Sequence, residues 1–264
     1  MSRLAESFAA ARANDRAMLV AYLPAGFPSV AEGIDLIGVM IDNGVDVVEV
    51  GLPYSDPLMD GPVIQAAVDQ ALAAGARIAD VLATVTATSQ AGAPALVMSY
   101  WNPIERYGVD RFANELAAAG GAGVITPDLT PEEAGAWLAA TDRGQLDRVF
   151  LVAPSSTAVR IAAVSAVCTG FVYAASTMGV TGVRSGVSSA AGDLVARVRA
   201  ATDTPVCVGL GVSNGMQAAE VARYADGVIV GSAFIKAIQE AATPARARAA
   251  VGDLSRELAA GVRR

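Results

Sequence analysis

The chain has 264 residues, 53% hydrophobic and 17% charged, with a formal net charge of -7 and a pI of about 4.7. That length suits one large α/β barrel with a sizeable core. An acidic chain with no basic cluster before its Arg-bearing C-terminus is a poor nucleic-acid binder, and any phosphate has to be held locally by backbone amides.

In chain order, residues 2–14 are amphipathic and read as an extra helix closing the bottom of a barrel. They lack the continuous apolar core of a secretory signal. Val/Ile/Leu-rich runs then predict strands at 17–23, 46–51, 95–100, 122–126, 147–152, 170–174, 205–209 and 227–230. Helices are expected at 29–43, 62–74, 77–91, 110–119, 131–142, 156–167, 189–201, 215–223 and 245–261, with a short one opening at Ser232. Pro62 and Pro131 suit a first helical turn, Thr130 suits an N-cap, and Glu132 and Glu133 suit the positive end of the dipole. Eight strands alternating with helices predict a (β/α)₈ TIM barrel, one domain over 1–264, with the additional N-terminal helix and a short phosphate-binding helix after strand eight. A doubly wound open sheet is the alternative, but LPAGFPS after the first strand is not its glycine fingerprint. No segment gives about 18 uninterrupted apolar residues, so no membrane span is expected. Cys168 and Cys207 fit no metal spacing and read as buried thiols in a reducing cytoplasm.

Barrel chemistry sits at the C-terminal ends of the strands. The stretch VVEVGLPYSDPLMDGP, residues 47–62, interrupts an apolar strand with Glu49. Side chains alternate, so Glu49 shares a face with Val47 and points into the lumen. Desolvation there raises its pKa toward neutrality and suits it to proton exchange. The alternative is a structural glutamate tied to an amide or water. Asp56, before Pro57, reads as turn chemistry. Asp60 either caps the helix after Gly61-Pro62 or joins Glu49 in one pocket, on a loop stiffened by Pro53, Pro57 and Pro62. The chain has no histidine, and its one lysine is Lys236. Ser-His triads and His-ligated metals are therefore excluded, and no strand lysine is available for a Schiff base.

Three glycine-bearing loops follow consecutive strands: MGVTG with Gly179 and Gly182, GLGVSNG with Gly209, Gly211, Ser213 and Gly215, and VGSAFIKAI with Gly231 and Ser232. Glycines let amides approach an anion, and a helix N-terminus adds a favourable dipole. Tyr22, Met98, Tyr100, Ile125, Tyr173 and Leu210 fall near strand ends and, with Ile64, can line a flat slot between carboxylates and phosphate. A substrate with an aromatic end and a phosphate end fits.

Glu49 with GLPYSDPLMDGPVIQ, then YWNPIERYG, GVTG, GLGVSN and VGSA, resembles the tryptophan synthase alpha subunit family nearly end to end. The resemblance implies a barrel that cleaves indole-3-glycerol phosphate to indole and glyceraldehyde 3-phosphate. It also implies a beta-subunit partner that carries pyridoxal phosphate, an alpha2-beta2 assembly, and no cofactor in this chain. By position, Glu49 matches the acid/base that protonates indole C3, and Asp60 matches the carboxylate that engages the indole N–H. Gly182, Gly211, Gly231 and Ser232 match the phosphate contacts. Tyr100, Tyr173, Ile64, Met98, Ile125 and Leu210 match the indole pocket, and Thr181 sits on a lid spanning 175–190. Two features depart from the family: Tyr22 stands where Phe is frequent and adds a hydroxyl that needs a partner, and Thr177-Met178 stands where some relatives carry a basic residue. Rival readings are another phosphate-binding barrel, such as an indole-glycerol-phosphate synthase or sugar-phosphate isomerase, a non-catalytic barrel that activates a partner, and a stand-alone lyase.

Overall fold

The computed structural model describes residues 2–175, 189–209 and 211–263. Nine parallel strands form one sheet: β1 (Met18–Pro24), β2 (Val47–Gly51), β3 (Ala95–Met98), β4 (Gly123–Ile125), β5 (Asp147–Val149), β6 (Leu151–Val152), β7 (Val172–Ala175), β8 (Val206–Gly209) and β9 (Gly227–Val230). Their order is β5-β4-β3-β2-β1-β9-β8-β7-β6. Only Phe150 separates β5 from β6, which pair with opposite neighbours, β4 and β7. The two are halves of one bent strand. Val149 O accepts Thr126 N on one side at 3.1 Å, and Phe150 O accepts Tyr173 N on the other at 3.1 Å. The ring therefore has the eight positions expected of a TIM barrel, and all eight expected strands are present with ends shifted by at most two residues.

Period-two alternation sorts the strands into two cores. Met18, Val20, Val47, Leu96, Ile125, Val149, Phe171, Cys207 and Ile229 pack inside the barrel. Leu19, Ala21, Val48, Val50, Val97 and Val124 pack outward against the helices. α1 (Arg3–Ala13) closes the N-terminal end of the barrel, as expected from 2–14. Its Leu4, Phe8 and Ala11 complete the inner cluster, and the rings of Phe8 and Phe171 meet edge-on at 6.1 Å.

Around the sheet run α2 (Val30–Asp42), α3 (Pro62–Ala73), α4 (Ile78–Gln90), α5 (Trp101–Tyr107), α6 (Val109–Ala118), α7 (Gly135–Gly144), α8 (Ala158–Val167), α9 (Ser189–Arg199), α10 (Gly215–Ala222), α11 (Ser232–Gln239) and α12 (Pro244–Gly261). Local caps explain several starts: Ser29, Thr157, Asn214 and Thr243 each accept an N–H from the first turn. Two elements differ from expectation. The helix expected at 131 begins at Gly135, and Pro131 is not in its first turn. Glu133 N bonds Thr130 O and Ala134 N bonds Pro131 O, a tight three-residue pattern that holds this stretch as a turn. The ladder starts only when Leu138 N reaches Ala134 O at 2.8 Å. α5 was not expected, because its first amide is satisfied from a distance: Trp101 N donates to Asp128 Oδ1 at 2.9 Å. Cys168 and Cys207 are buried and free, as expected.

Candidate active site

β2 carries Glu49 at its centre, in register with Tyr22 on β1 and Leu96 on β3. One register row further on stand Gly51, Met98 and Ile125. The strand ends in glycine for a steric reason. A Cβ on Gly51 would lie 2.4 Å from the Tyr22 hydroxyl oxygen, so only glycine leaves room for that ring. Gly209, at the end of β8, does the same for Tyr173, whose hydroxyl would sit 2.0 Å from a Cβ there. Sequence reading missed both glycines as shapers of the site. The available signal was a glycine at a strand's C-terminal end beside a strand bearing an inward tyrosine.

Glu49 is 2% exposed, and its Oε1 has no hydrogen-bond partner among the described residues. Burial alone pushes its pKa up from 4.5 to about 8. Asp60 is also buried, and burial raises its pKa as well, against the opposing pull of a hydrogen bond from Tyr100. The two carboxylates share one chamber: both act on the phenols of Tyr22 and Tyr173, whose pKa values burial already raises well above the usual tyrosine range.

Asp60 does not cap α3. The N-cap is Gly61, with no side-chain capping bond, and Pro62 occupies the first turn as expected. Its carboxylate instead accepts the Tyr100 hydroxyl at Oδ1, 3.2 Å away, while its carbonyl accepts Gln65 Nε2 at 2.7 Å. Leu52 N bonds Met98 O at 2.9 Å, which ties the start of this loop to β3. Asp56 is exposed and pairs locally with Ser55 Oγ at 2.6 Å, consistent with turn chemistry.

Tyr22, Tyr100, Ile64 and Ile125 are buried, while Met98 and Tyr173 are partly covered by the inner cluster. The Tyr22 backbone belongs to the β1–β2 ladder, but its extra hydroxyl makes no hydrogen bond among the described residues. Gly231 packs on the Tyr22 ring, where a Cβ would approach Cδ1 to 3.2 Å. It is also the N-cap of α11, which Ser232 opens. The α11 ladder begins with Phe234 N and Ile235 N on Gly231 O, and the amides of Ser232 and Ala233 lie outside that ladder. Gly211 has φ +74°, a left-handed conformation that favours glycine. Thr181, Gly182, Leu210 and the pair Thr177-Met178 lie outside the described residues. Among the described residues, no three carboxylates or thiols gather as a metal site, and no single helix is long and apolar enough to cross a membrane.

A buried carboxyl with a raised pKa, a second carboxylate on a braced loop, an aromatic slot and a helix N-terminus beside it suit acid/base work on an aromatic phosphate. The family model for Tryptophan synthase alpha chain matches residues 8–262. A tryptophan synthase alpha chain of Thermobifida fusca is 59% identical, covering 100% of this chain and 98% of its own. One from Nocardia farcinica is 58% identical, covering 99% and 96%. A structure of Mycobacterium tuberculosis tryptophan synthase superposes with a TM-score of 0.93 at 56% identity, covering 100% and 99%. Tryptophan synthase subunit alpha of Legionella pneumophila gives 0.88 at 32% identity, covering 99% and 98%. With its barrel, its matched length and its relatives in agreement, this chain belongs to the tryptophan synthase alpha chain family.

Proposed function

We propose that the chain cleaves indole-3-glycerol phosphate to indole and glyceraldehyde 3-phosphate, with Glu49 as proton carrier and Asp60 as the carboxylate engaging the indole N–H. One observation carries the assignment: Glu49 is buried, one of its oxygens is unpartnered among the described residues, and burial alone perturbs it. With a pKa of about 8 it is mostly protonated at neutral pH. It gives that proton to ring carbon C3, forming an indolenine. The bond from C3 to the glyceryl chain then breaks, its electron pair returning to the ring. The Glu49 carboxylate takes the proton of the 3′-hydroxyl as the aldehyde forms. Glu49 begins and ends protonated, so the proton count closes. Asp60 stabilises the positive charge that develops at the ring nitrogen.

Tyr22, Ile64, Met98, Tyr100, Ile125, Tyr173 and Leu210 line the indole slot in this reading. Gly182, Gly211, Gly231 and Ser232 hold the phosphate, and Thr181 belongs to a lid over 175–190. The amides of Ser232 and Ala233 at the start of α11 and the left-handed Gly211 support the phosphate assignment. The chain works as one domain in the cytoplasm, joined to a tryptophan synthase beta subunit in an alpha2-beta2 assembly. The partner brings the pyridoxal phosphate. A groove of about 520 Å³ lined by Leu52, Pro53, Tyr54, Asn102, Pro103 and Tyr107 supports docking there, and Leu58 on the adjoining loop is 76% exposed.

The test is an indole-3-glycerol phosphate cleavage assay with and without a beta subunit. Glu49→Gln should fold, bind substrate and lose about 10²- to 10⁴-fold in turnover. Unchanged turnover sinks the assignment of Glu49. Failure of the beta subunit to stimulate cleavage or co-migrate on sizing sinks the assigned partner.

A further inference from the structure

The hydroxyl of Tyr100 does something the other tyrosines of the chamber do not. Tyr22 and Tyr173 lay their hydroxyls against Gly51 and Gly209. Tyr100, 3% exposed and serving as the N-cap residue of α5, reaches across to the loop after β2. Its oxygen accepts the Met59 N–H at 2.9 Å and donates to Asp60 Oδ1 at 3.2 Å. One group thus grips two consecutive residues of a loop about 40 positions earlier in the chain. Gln65 holds only the Asp60 carbonyl and leaves the carboxylate free to rotate. The Tyr100 ring is braced in turn: Tyr54 packs against it at a tilt, with centroids 5.6 Å apart, and is fixed by Asn102 Nδ2 on its hydroxyl at 3.0 Å. The next amide, Trp101 N, is anchored on Asp128.

We propose that Tyr100 is the positioning residue for Asp60, fixing the loop at Met59 and aiming the carboxylate at the substrate's ring N–H. The proposal rests on the role given to Asp60 above. A phenol that donates to a carboxylate favours its charged form. Among the described residues, the titratable groups around Asp60 are Tyr22 from β1, Tyr173 from β7 and Tyr100 itself, with Glu49 of β2 acting on the first two of these phenols, while Asp128 faces Tyr100 from the loop after β4. None of these is a cation, so within this set the Tyr100 hydrogen bond is the contact that pulls the Asp60 pKa back down against its burial.

The experiment measures cleavage by the full chain across about pH 5 to 10 for Tyr100→Phe, Asp60→Asn and the double variant. Tyr100→Phe should lower kcat about 10- to 100-fold, as expected for losing a hydrogen bond to a charged group, with KM changed little. The acid limb of kcat should move to higher pH. In the Asp60→Asn background the same change should add nothing. 3-Fluorotyrosine at position 100, a stronger donor that keeps the ring and the fold, should move the acid limb to lower pH. An acid limb that stays put in both Tyr100 variants overturns the proposal. If Asp60→Asn is still strongly impaired in that case, the site reading stands without it. A fully active Asp60→Asn overturns the site reading as well.

Discussion

Replacing Glu49 by glutamine should stabilise the fold while removing the activity, and the gain should depend on pH. A buried carboxyl with pKa about 8 holds its proton where the unfolded chain, near 4.5, has released it. The native state therefore binds more protons than the unfolded state between those values, and stability falls as pH rises from about 4.5 to about 8. Below 4.5 both states are protonated and the penalty is absent. Above 8 it is complete, roughly 5 kcal/mol at 1.36 kcal/mol per pH unit. That is a large share of the about 5–15 kcal/mol that holds a typical domain folded. Glutamine has the same shape and never ionises, so its stability should not carry this slope. Urea unfolding of both proteins at about pH 5 and pH 9 measures the difference. The variant should exceed the parent by less than about 1 kcal/mol at pH 5 and by several kcal/mol at pH 9. A stability difference that is the same at both pH values would refute the desolvation argument. Glu49 would then have a partner that keeps it ionised.

Further outcomes follow from the same geometry. In the proposed mechanism the acid form of Glu49 starts the reaction, so kcat/KM of the parent should fall as pH rises through about 8, read from initial rates of indole release. Gly209→Ala forces a methyl group into the Tyr173 ring. It should cost about 1–3 kcal/mol and raise KM, as thermal melts and substrate titration would report. Phe8→Ala opens a cavity at the far end of the barrel, against Phe171. A loss of about 3–5 kcal/mol in urea unfolding is expected, with kcat of the folded fraction unchanged.

Much of this molecule is written locally. Eight apolar runs at strand spacing determine the barrel, and the period of two alone turns Glu49 inward with Val47, because successive side chains of a strand leave on opposite faces. Pro62 fixes the start of α3, and Ser29, Thr157, Asn214 and Thr243 cap their own helices, through contacts that span only a few residues. The lack of histidine and of any strand lysine narrows the chemistry to carboxylates before any fold is known. Tertiary structure decided the rest. Whether Asp60 caps α3 or serves the chamber depends on Tyr100, which reaches it only because β2 and β3 lie side by side in register. α5 takes its first cap from Asp128 on the next loop, and so carries no cap of its own in the sequence. Gly51 and Gly209 look like ordinary strand ends until the neighbouring tyrosine rings are laid against them. Periodicity and caps act over one helical turn or one strand. A carboxylate's partner and a ring's room are set by which strands become neighbours, and that is fixed only when the barrel closes.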